Sequence, residues 1–266
     1  MSDEAPLSER SDDPFLVLAT QLVSTNEGCW VLGLWPDALE ASGSFHGTAA
    51  VAPRIYVPKG EGRNPERSRS EASRRAASRL RRYSVANRLN RFGSLTYAHA
   101  QEDGGAVRED IGDFFRRLRS SVGKDFAYAW VTEWHPGGHG IHVHFAVGRY
   151  VKVAVIREAW GRGIVDIRRR SDLRMGGGEA EEARHAARYM AKYLRKGFED
   201  EGLLGQHRFD VAQGFRPRLE RLEGRSMADV TAKASDRIGY QPSYIWRSRD
   251  AKEWFGPSAL WLSWNG

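Results

Sequence analysis

Two short stretches of this chain hold residue types that do chemistry together. The first is IHVHFAV at 141–147, where His142 and His144 stand two apart. In a strand a period of two puts both imidazoles on one face and leaves Ile141, Val143 and Phe145 for the other. The second is YMAKYLRK at 189–196. On a helix Tyr189 and Tyr193, four apart, share a face, and Lys192 and Lys196 each follow a tyrosine by three. A phenol of ordinary pKa, about 10, is a poor nucleophile at neutral pH, and a neighbouring ammonium favours its phenoxide. The helix thus offers two hydroxyl nucleophiles, each with a cation nearby that can also bind a phosphate oxygen.

A histidine pair needs a third ligand to hold a metal, and the preceding segment supplies one. HPGGHG at 135–140 reads as a tight turn. A hairpin symmetric about Gly137 and Gly138 sets Glu133 directly opposite His142, and opposed residues share a face with Cβ atoms roughly 5 Å apart. Two imidazoles and a carboxylate then converge, as a divalent cation requires. A slip of one residue would turn one strand over, so the expectation depends on register. A His-x-His pair alone is as well explained by surface or satisfied core histidines. A carboxylate within the apolar run FAYAWVTEW (126–134) is costly unless paired or metal-bound, and this favours the metal. His135 and His139, in the turn, are alternative ligands. The tyrosine helix, taken alone, is also compatible with a stripe packed on a sheet and lysines in water.

The elements that must carry these residues are legible around them. FGSLTYA from Phe92 reads as a strand and EDGG at 102–105 as a turn. An amphipathic helix follows, with Val107, Ile111, Phe114, Phe115 and Leu118 on one face. Its acids (Glu109, Asp110, Asp113) come early and its bases (Arg116, Arg117, Arg119) late, as the helix dipole favours. FAYAWVTEW suits a central strand buried on both faces. VAVIREAW, before Gly161, reads as a short helix, and GIVDIR at 163–168 as a strand. A helix over 179–196 opens with Glu179, Glu181 and Glu182, closes with Lys192, Arg195 and Lys196, and has Gly197 as its expected C-cap. This order, β-α-β-β-α-β-α around a tight hairpin, predicts an α+β fold with a central, mostly antiparallel sheet flanked by helices.

Outside that core the chain divides into residues 1–60, a tail and small extension; 61–91, an arginine-rich segment; 92–215, the core; and 216–266, a C-terminal extension ending in WFGPSALWLSW. The first 14 residues read as a disordered tail with no signal-peptide pattern, and the broken apolar runs of 15–58 suggest no fold. Residues 63–91 hold ten arginines against Glu66 and Glu71, an excess larger than the net +7 of the whole chain. So lopsided a block repels itself unless a polyanion is near. Arg74, Arg75, Arg79, Arg81, Arg82 and Arg88, on the half that reads as helix, are the expected DNA-phosphate contacts; a solvated helix face is the alternative. The single cysteine, Cys29, excludes an intramolecular disulfide and a thiolate metal cluster and fits a cytoplasmic protein. No apolar run is long enough to span a bilayer, and no GxxxxGK[ST] motif marks a P-loop ATPase.

The ordered set FGSLTY (92–97), HVH (142–144) and YMAKYLRK resembles the HUH endonucleases, specifically the rolling-circle replication initiators of bacterial plasmids and single-stranded DNA phages. The paired tyrosines resemble the A-protein type of the small icosahedral phages. REAWGRGIVDIRR (157–169) resembles the segment between the second and third motifs, and the likeness covers about residues 75–215. The resemblance implies an HUH, RRM-like core in which His142, His144 and Glu133 ligate Mg²⁺ or Mn²⁺. It implies Tyr193 and Tyr189 as nucleophiles and Lys196 and Lys192 as the motif lysines. The implied activity is nicking and rejoining of single-stranded DNA at an origin hairpin through a 5′-phosphotyrosine, with a host helicase and polymerase as partners and no membrane. The first motif departs from the family's pattern at Ser94, in place of the usual small residue or threonine. Competing readings are a non-catalytic single-strand binder on an RRM-like sheet, a relaxase or single-strand transposase of the same class, and a metal hydrolase that uses water.

Overall fold

A computed structural model describes residues 28–47, 64–135, 137–138, 140–168, 178–199, 208–252, 254 and 256–265. The expected tail over 1–14 and the alternative ligand His139 lie outside these residues. The elements run β1 (Gly28–Trp35), β2 (Glu40–Gly47), α1 (Pro65–Ala86), β3 (Arg91–Tyr97), α2 (Gly104–Val122), β4 (Tyr128–Trp134), β5 (Ile141–Val147), α3 (Val153–Trp160) and β6 (Gly163–Arg168). They continue with α4 (Glu179–Glu199), β7 (Phe209–Val211), β8 (Glu220–Gly224), α5 (Met227–Ile238), β9 (Tyr244–Arg247) and β10 (Ala259–Ser263). The strands form two antiparallel five-stranded sheets, ordered β6-β3-β5-β4-β7 and β8-β1-β2-β10-β9, so the fold is α+β.

Local chemistry sets the helix ends. Asn64 accepts a hydrogen bond from the Arg67 amide with Pro65 in the first turn, and Asp103 accepts from the Gly105 and Ala106 amides. One correction concerns α4: Gly197 does not cap it, and the helix continues to Glu199. A glycine inside a helix costs only about 1 kcal/mol.

The core sheet is covered on both faces. Leu95, Trp130, Val143 and Phe145 pack against Ile111, Phe114 and Phe115 of α2 and Trp160 of α3. Phe92, Ala129, Val131 and Ala146 pack on the opposite face against Ala76, Leu80 and Tyr83 of α1 and Met190 and Leu194 of α4. Each large apolar side chain fully buried in this way contributes about 1.5–3 kcal/mol. The period of two along β5 therefore has a consequence: the face opposite Val143 and Phe145, the histidine face, is the one that α4 covers.

The second sheet joins the two ends of the chain, because the N-terminal hairpin β1–β2 lies between β8 and β10. Trp30, Leu32, Leu34, Leu260 and Leu262 bury one face against Val230 and Ala234 of α5. Its junction with the core is polar. Glu40 is 3% exposed and accepts from Arg81 Nε at 2.8 Å and Arg82 Nε at 2.7 Å. Burial pushes the Glu40 carboxyl up, but the two guanidiniums outweigh it and hold the group below its ordinary pKa. Arg184 of α4 donates to the Leu39 carbonyl at 3.4 Å and to the Trp264 carbonyl. Among the described residues no helix is long and apolar enough to cross a membrane.

Candidate active site

The hairpin has the register that its turn implies. Glu133 pairs with His142 and Val131 with His144, while β3 sets Ser94 opposite His144 on the other side. The register is fixed at its turn end: Ile141 N donates to Gln101 O at 2.7 Å and His135 N to Gly140 O at 2.9 Å. Gly140 sits at φ +78°, and a Cβ there would fall 2.4 Å from the Gln101 carbonyl oxygen, so only glycine fits. Glu133, His142 and His144 consequently share one face of the core sheet.

Glu133 bonds diagonally, to His144 rather than to the directly opposed His142. His144 Nε2 lies 2.9 Å from Glu133 Oε2, and Lys196 Nζ donates to Glu133 Oε1 at 3.1 Å. Partial burial pushes the Glu133 carboxyl up, but the hydrogen bonds from His144 and Lys196 outweigh it and keep the group below the usual carboxylate value. An ionised carboxylate only accepts, so His144 Nε2 donates to Glu133, and the other ring nitrogen, Nδ1, lies 3.0 Å from the Ser94 hydroxyl, which can donate or accept. Thr96 Oγ1 stands 3.3 Å from His142 Nδ1 in the same relation.

Helix α4 brings the phenols to this face because Met190 and Leu194 seat it on the sheet. The Tyr193 ring stacks on the His144 imidazole with centroids 3.8 Å apart and planes 22° apart. The Tyr193 hydroxyl donates to the Tyr189 hydroxyl at 2.5 Å, and Tyr189 meets Phe92 edge-on at 4.9 Å. The structure thus gathers Glu133, His142, His144, Tyr189, Tyr193 and Lys196 into one cluster, while Lys192 is exposed on α4. His135 stands beside His142, ring centroids 4.4 Å apart. Sequence reasoning quoted Phe92, Ser94 and Thr96 within the first motif but gave none of them a role at the site. Carrying the period-two argument one strand further, from β5 to β3, would have found all three.

Two imidazoles oriented at Nδ1 by hydroxyls, together with a carboxylate, are donor types that suit Mg²⁺ or Mn²⁺. Their arrangement here is closed: among the described residues no group of three or more His, Cys, Asp or Glu side chains is disposed to hold a metal ion. Glu133 is engaged by His144 and Lys196, and ligation requires the Glu133–His144 hydrogen bond to open.

The arginine helix divides in two. Arg74, Arg75 and Arg79 of α1 are exposed, Arg75 lying 3.7 Å from Glu71 and Arg79 5.8 Å from the Phe209 ring. Arg81 and Arg82 instead bind Glu40, with the Arg82 guanidinium 3.5 Å from the Trp35 ring centroid. Arg88, half-buried, donates to the Val85 carbonyl at 3.1 Å.

The model of a family of replication-associated proteins, the ORF2 type, matches residues 90–198. The matched stretch runs from β3 to α4 and so contains every residue of the cluster. This similarity supports a replication initiator protein. No curated protein and no solved structure matches the chain.

Proposed function

We propose that this chain is a rolling-circle replication initiator that nicks and rejoins single-stranded DNA by transesterification onto a tyrosine. The observation that carries the reading is the seating of Tyr193 on the imidazole of His144, where it shares a hydrogen bond with Tyr189. Phenols, a cation and metal-type donors gathered on one face of a sheet are parts that phosphoryl transfer can use. The similarity of residues 90–198 to a replication-associated family favours DNA as the substrate.

In this reading a phenol oxygen attacks the scissile phosphorus in line and the bond from phosphorus to the 3′-oxygen breaks. The 5′-phosphate is left on tyrosine, and the proton that the phenol gives up is balanced by the one that the 3′-oxygen takes up. The phosphotyrosine diester replaces the broken diester, so a later 3′-hydroxyl can reverse the step without ATP. The hydrogen bond between the phenols lets one hydroxyl stabilise the phenoxide of the other, and the two can exchange roles in successive cuts. Lys196, half exposed, is placed to hold a phosphate oxygen once it leaves Glu133. Glu133, His142 and His144 would hold Mg²⁺ or Mn²⁺, whose chemistry there is to polarise the phosphate and offset developing charge. The liberated 3′-hydroxyl would prime a host polymerase, with strand separation left to a host helicase.

The test is a denaturing gel of the protein incubated with single-stranded oligonucleotides from the DNA flanking its gene, in Mg²⁺, Mn²⁺ or EDTA. A covalent adduct is expected with metal, reduced by Tyr193→Phe and abolished when Tyr189→Phe is added. Absence of an adduct under either metal across all oligonucleotides, with binding undiminished in EDTA, would establish the non-catalytic binder instead.

A further inference from the structure

We propose that the second sheet carries a stacking surface for single-stranded DNA, apart from the tyrosine cluster. Its α5 face is apolar and buried. The opposite face is built from different residues. Ser42 of β2 pairs with Trp261 of β10, which pairs with Trp246 of β9, and directly opposed residues share a face. Tyr244 tilts on Trp261 with centroids 5.4 Å apart, and Trp254 meets Trp246 edge-on at 5.3 Å. Two pairs of aromatic rings therefore lie at one end of the sheet, joined by the cross-strand pairing of Trp261 with Trp246. Tyr244 is 52% exposed and Trp254 39%.

This surface abuts the arginine helix. The Arg81 guanidinium lies 5.2 Å from the Trp261 ring centroid, and Arg82 donates to the Ser42 hydroxyl at 2.7 Å. Farther along α1 the exposed Arg74 and Arg75 extend the positive charge into solvent. Rings interleaved with hydroxyls beside a run of guanidiniums are what sequence-tolerant single-strand binding uses, with bases stacking on the rings and phosphates meeting the cations. A duplex keeps its base faces stacked inside and has no use for the rings. The Trp254 ring is also fixed before binding, since its Nε1 donates to the Pro257 carbonyl at 2.8 Å. Little side-chain freedom is then lost when a base stacks.

The inference rests on the functional reading in one respect, the choice of single-stranded DNA as ligand. It would give the enzyme a second hold on the strand it cuts. The experiment uses the full chain carrying Tyr189→Phe and Tyr193→Phe, titrated into fluorescent oligothymidylate and into a duplex of equal length. Adding Tyr244→Ala and Trp254→Ala should weaken single-strand binding about tenfold or more while leaving duplex binding in place. The aromatic swaps Tyr244→Phe and Trp254→Phe should retain the affinity, which separates stacking from misfolding. Unchanged single-strand affinity in the alanine variant, or an equal loss on both ligands, overturns the proposal. Adduct formation by the chain with its tyrosines intact, on short oligonucleotides, reports on the cluster separately. If adducts form but the ring changes do nothing, only this inference fails; if ring changes weaken binding but no adduct forms, only the nicking reaction fails.

Discussion

Ser94→Ala removes one hydroxyl, and its effect can be worked from the geometry. His144 is 7% exposed, with Nε2 2.9 Å from Glu133 and Nδ1 3.0 Å from Ser94 Oγ. The Ser94 hydroxyl is the partner of Nδ1 and can donate to it or accept from it. It would therefore also orient the ring if His144 held a cation. A hydroxyl serves both states and a methyl serves neither. Leaving a buried ring nitrogen unsatisfied costs about 1–3 kcal/mol. For a chain of this size that lowers the unfolding midpoint by roughly 2–4 °C per kcal/mol. Loss of a group that orients a ligand weakens metal binding by about 10–100-fold. The assay pairs thermal unfolding in EDTA with a Mn²⁺ titration followed by electron paramagnetic resonance. Ser94→Thr, which keeps the hydroxyl, should recover the Mn²⁺ affinity. A folded Ser94→Ala protein that binds Mn²⁺ as tightly as the wild type would refute the argument that β3 orients the imidazole.

Other consequences concern the joint and the turn. Glu40→Ala leaves the Arg81 and Arg82 guanidiniums facing each other without their carboxylate and should cost about 3–5 kcal/mol in denaturant unfolding. The folded-state pKa of Glu40 is depressed, so its contribution is full above the unfolded carboxyl pKa and is lost as pH falls through the folded value. Glu40→Gln should therefore flatten the acid limb of the stability profile, and an unaltered limb would place the acid sensitivity elsewhere. Gly140→Ala must escape φ +78° and a Cβ contact of 2.4 Å with the Gln101 carbonyl oxygen; it should destabilise by more than about 1 kcal/mol and abolish adduct formation. A Gly140→Ala chain with wild-type unfolding and wild-type adduct yield would remove the register argument.

What the sequence shows of this site is what local periodicity can carry. The turn at Gly137–Gly138 sets the pairing of β4 with β5, so Glu133 opposite His142 follows from counting residues. Tyr189 and Tyr193 share a face because four residues are about one helical turn. Contacts between distant elements left no such trace. Nothing local says that α4 lies on the histidine face, or that Glu133 reaches His144 diagonally and Lys196 across a 63-residue separation. The second sheet was opaque for the same reason. Its strands come from 28–47 and 220–263, and β2 (EASGSFHG) is too rich in small residues to show alternation. The arginine block shows a limit of charge counting. A charge run does not distinguish guanidiniums facing solvent, such as Arg74, from those facing a buried carboxylate. The partner Glu40 lies 41 residues before Arg81.

The two halves of the molecule meet on α4. Its first turns belong to the junction, where Ala180 packs with Ala38 and Val85 and Arg184 reaches the carbonyls of Leu39 and Trp264. Its later turns carry Met190 and Leu194 into the core and the phenols onto His144. From Arg184 to Tyr193 the helix rises about 14 Å at 1.5 Å per residue. A continuous helix transmits displacement along that length as a rigid rod. α1 makes the same bridge, holding Glu40 with Arg81 and Arg82 while Leu80 and Tyr83 fill the core beneath. The second sheet therefore fixes the axial position of the tyrosines relative to the histidine hairpin. The phenols are held against His144 from two directions, by the apolar seat beneath them and by the polar clamp a few turns away. Loosening the clamp should shift both hydroxyls together and leave the Glu133–His142 register intact, because that register is set by the hairpin and its contact with Gln101, away from α4.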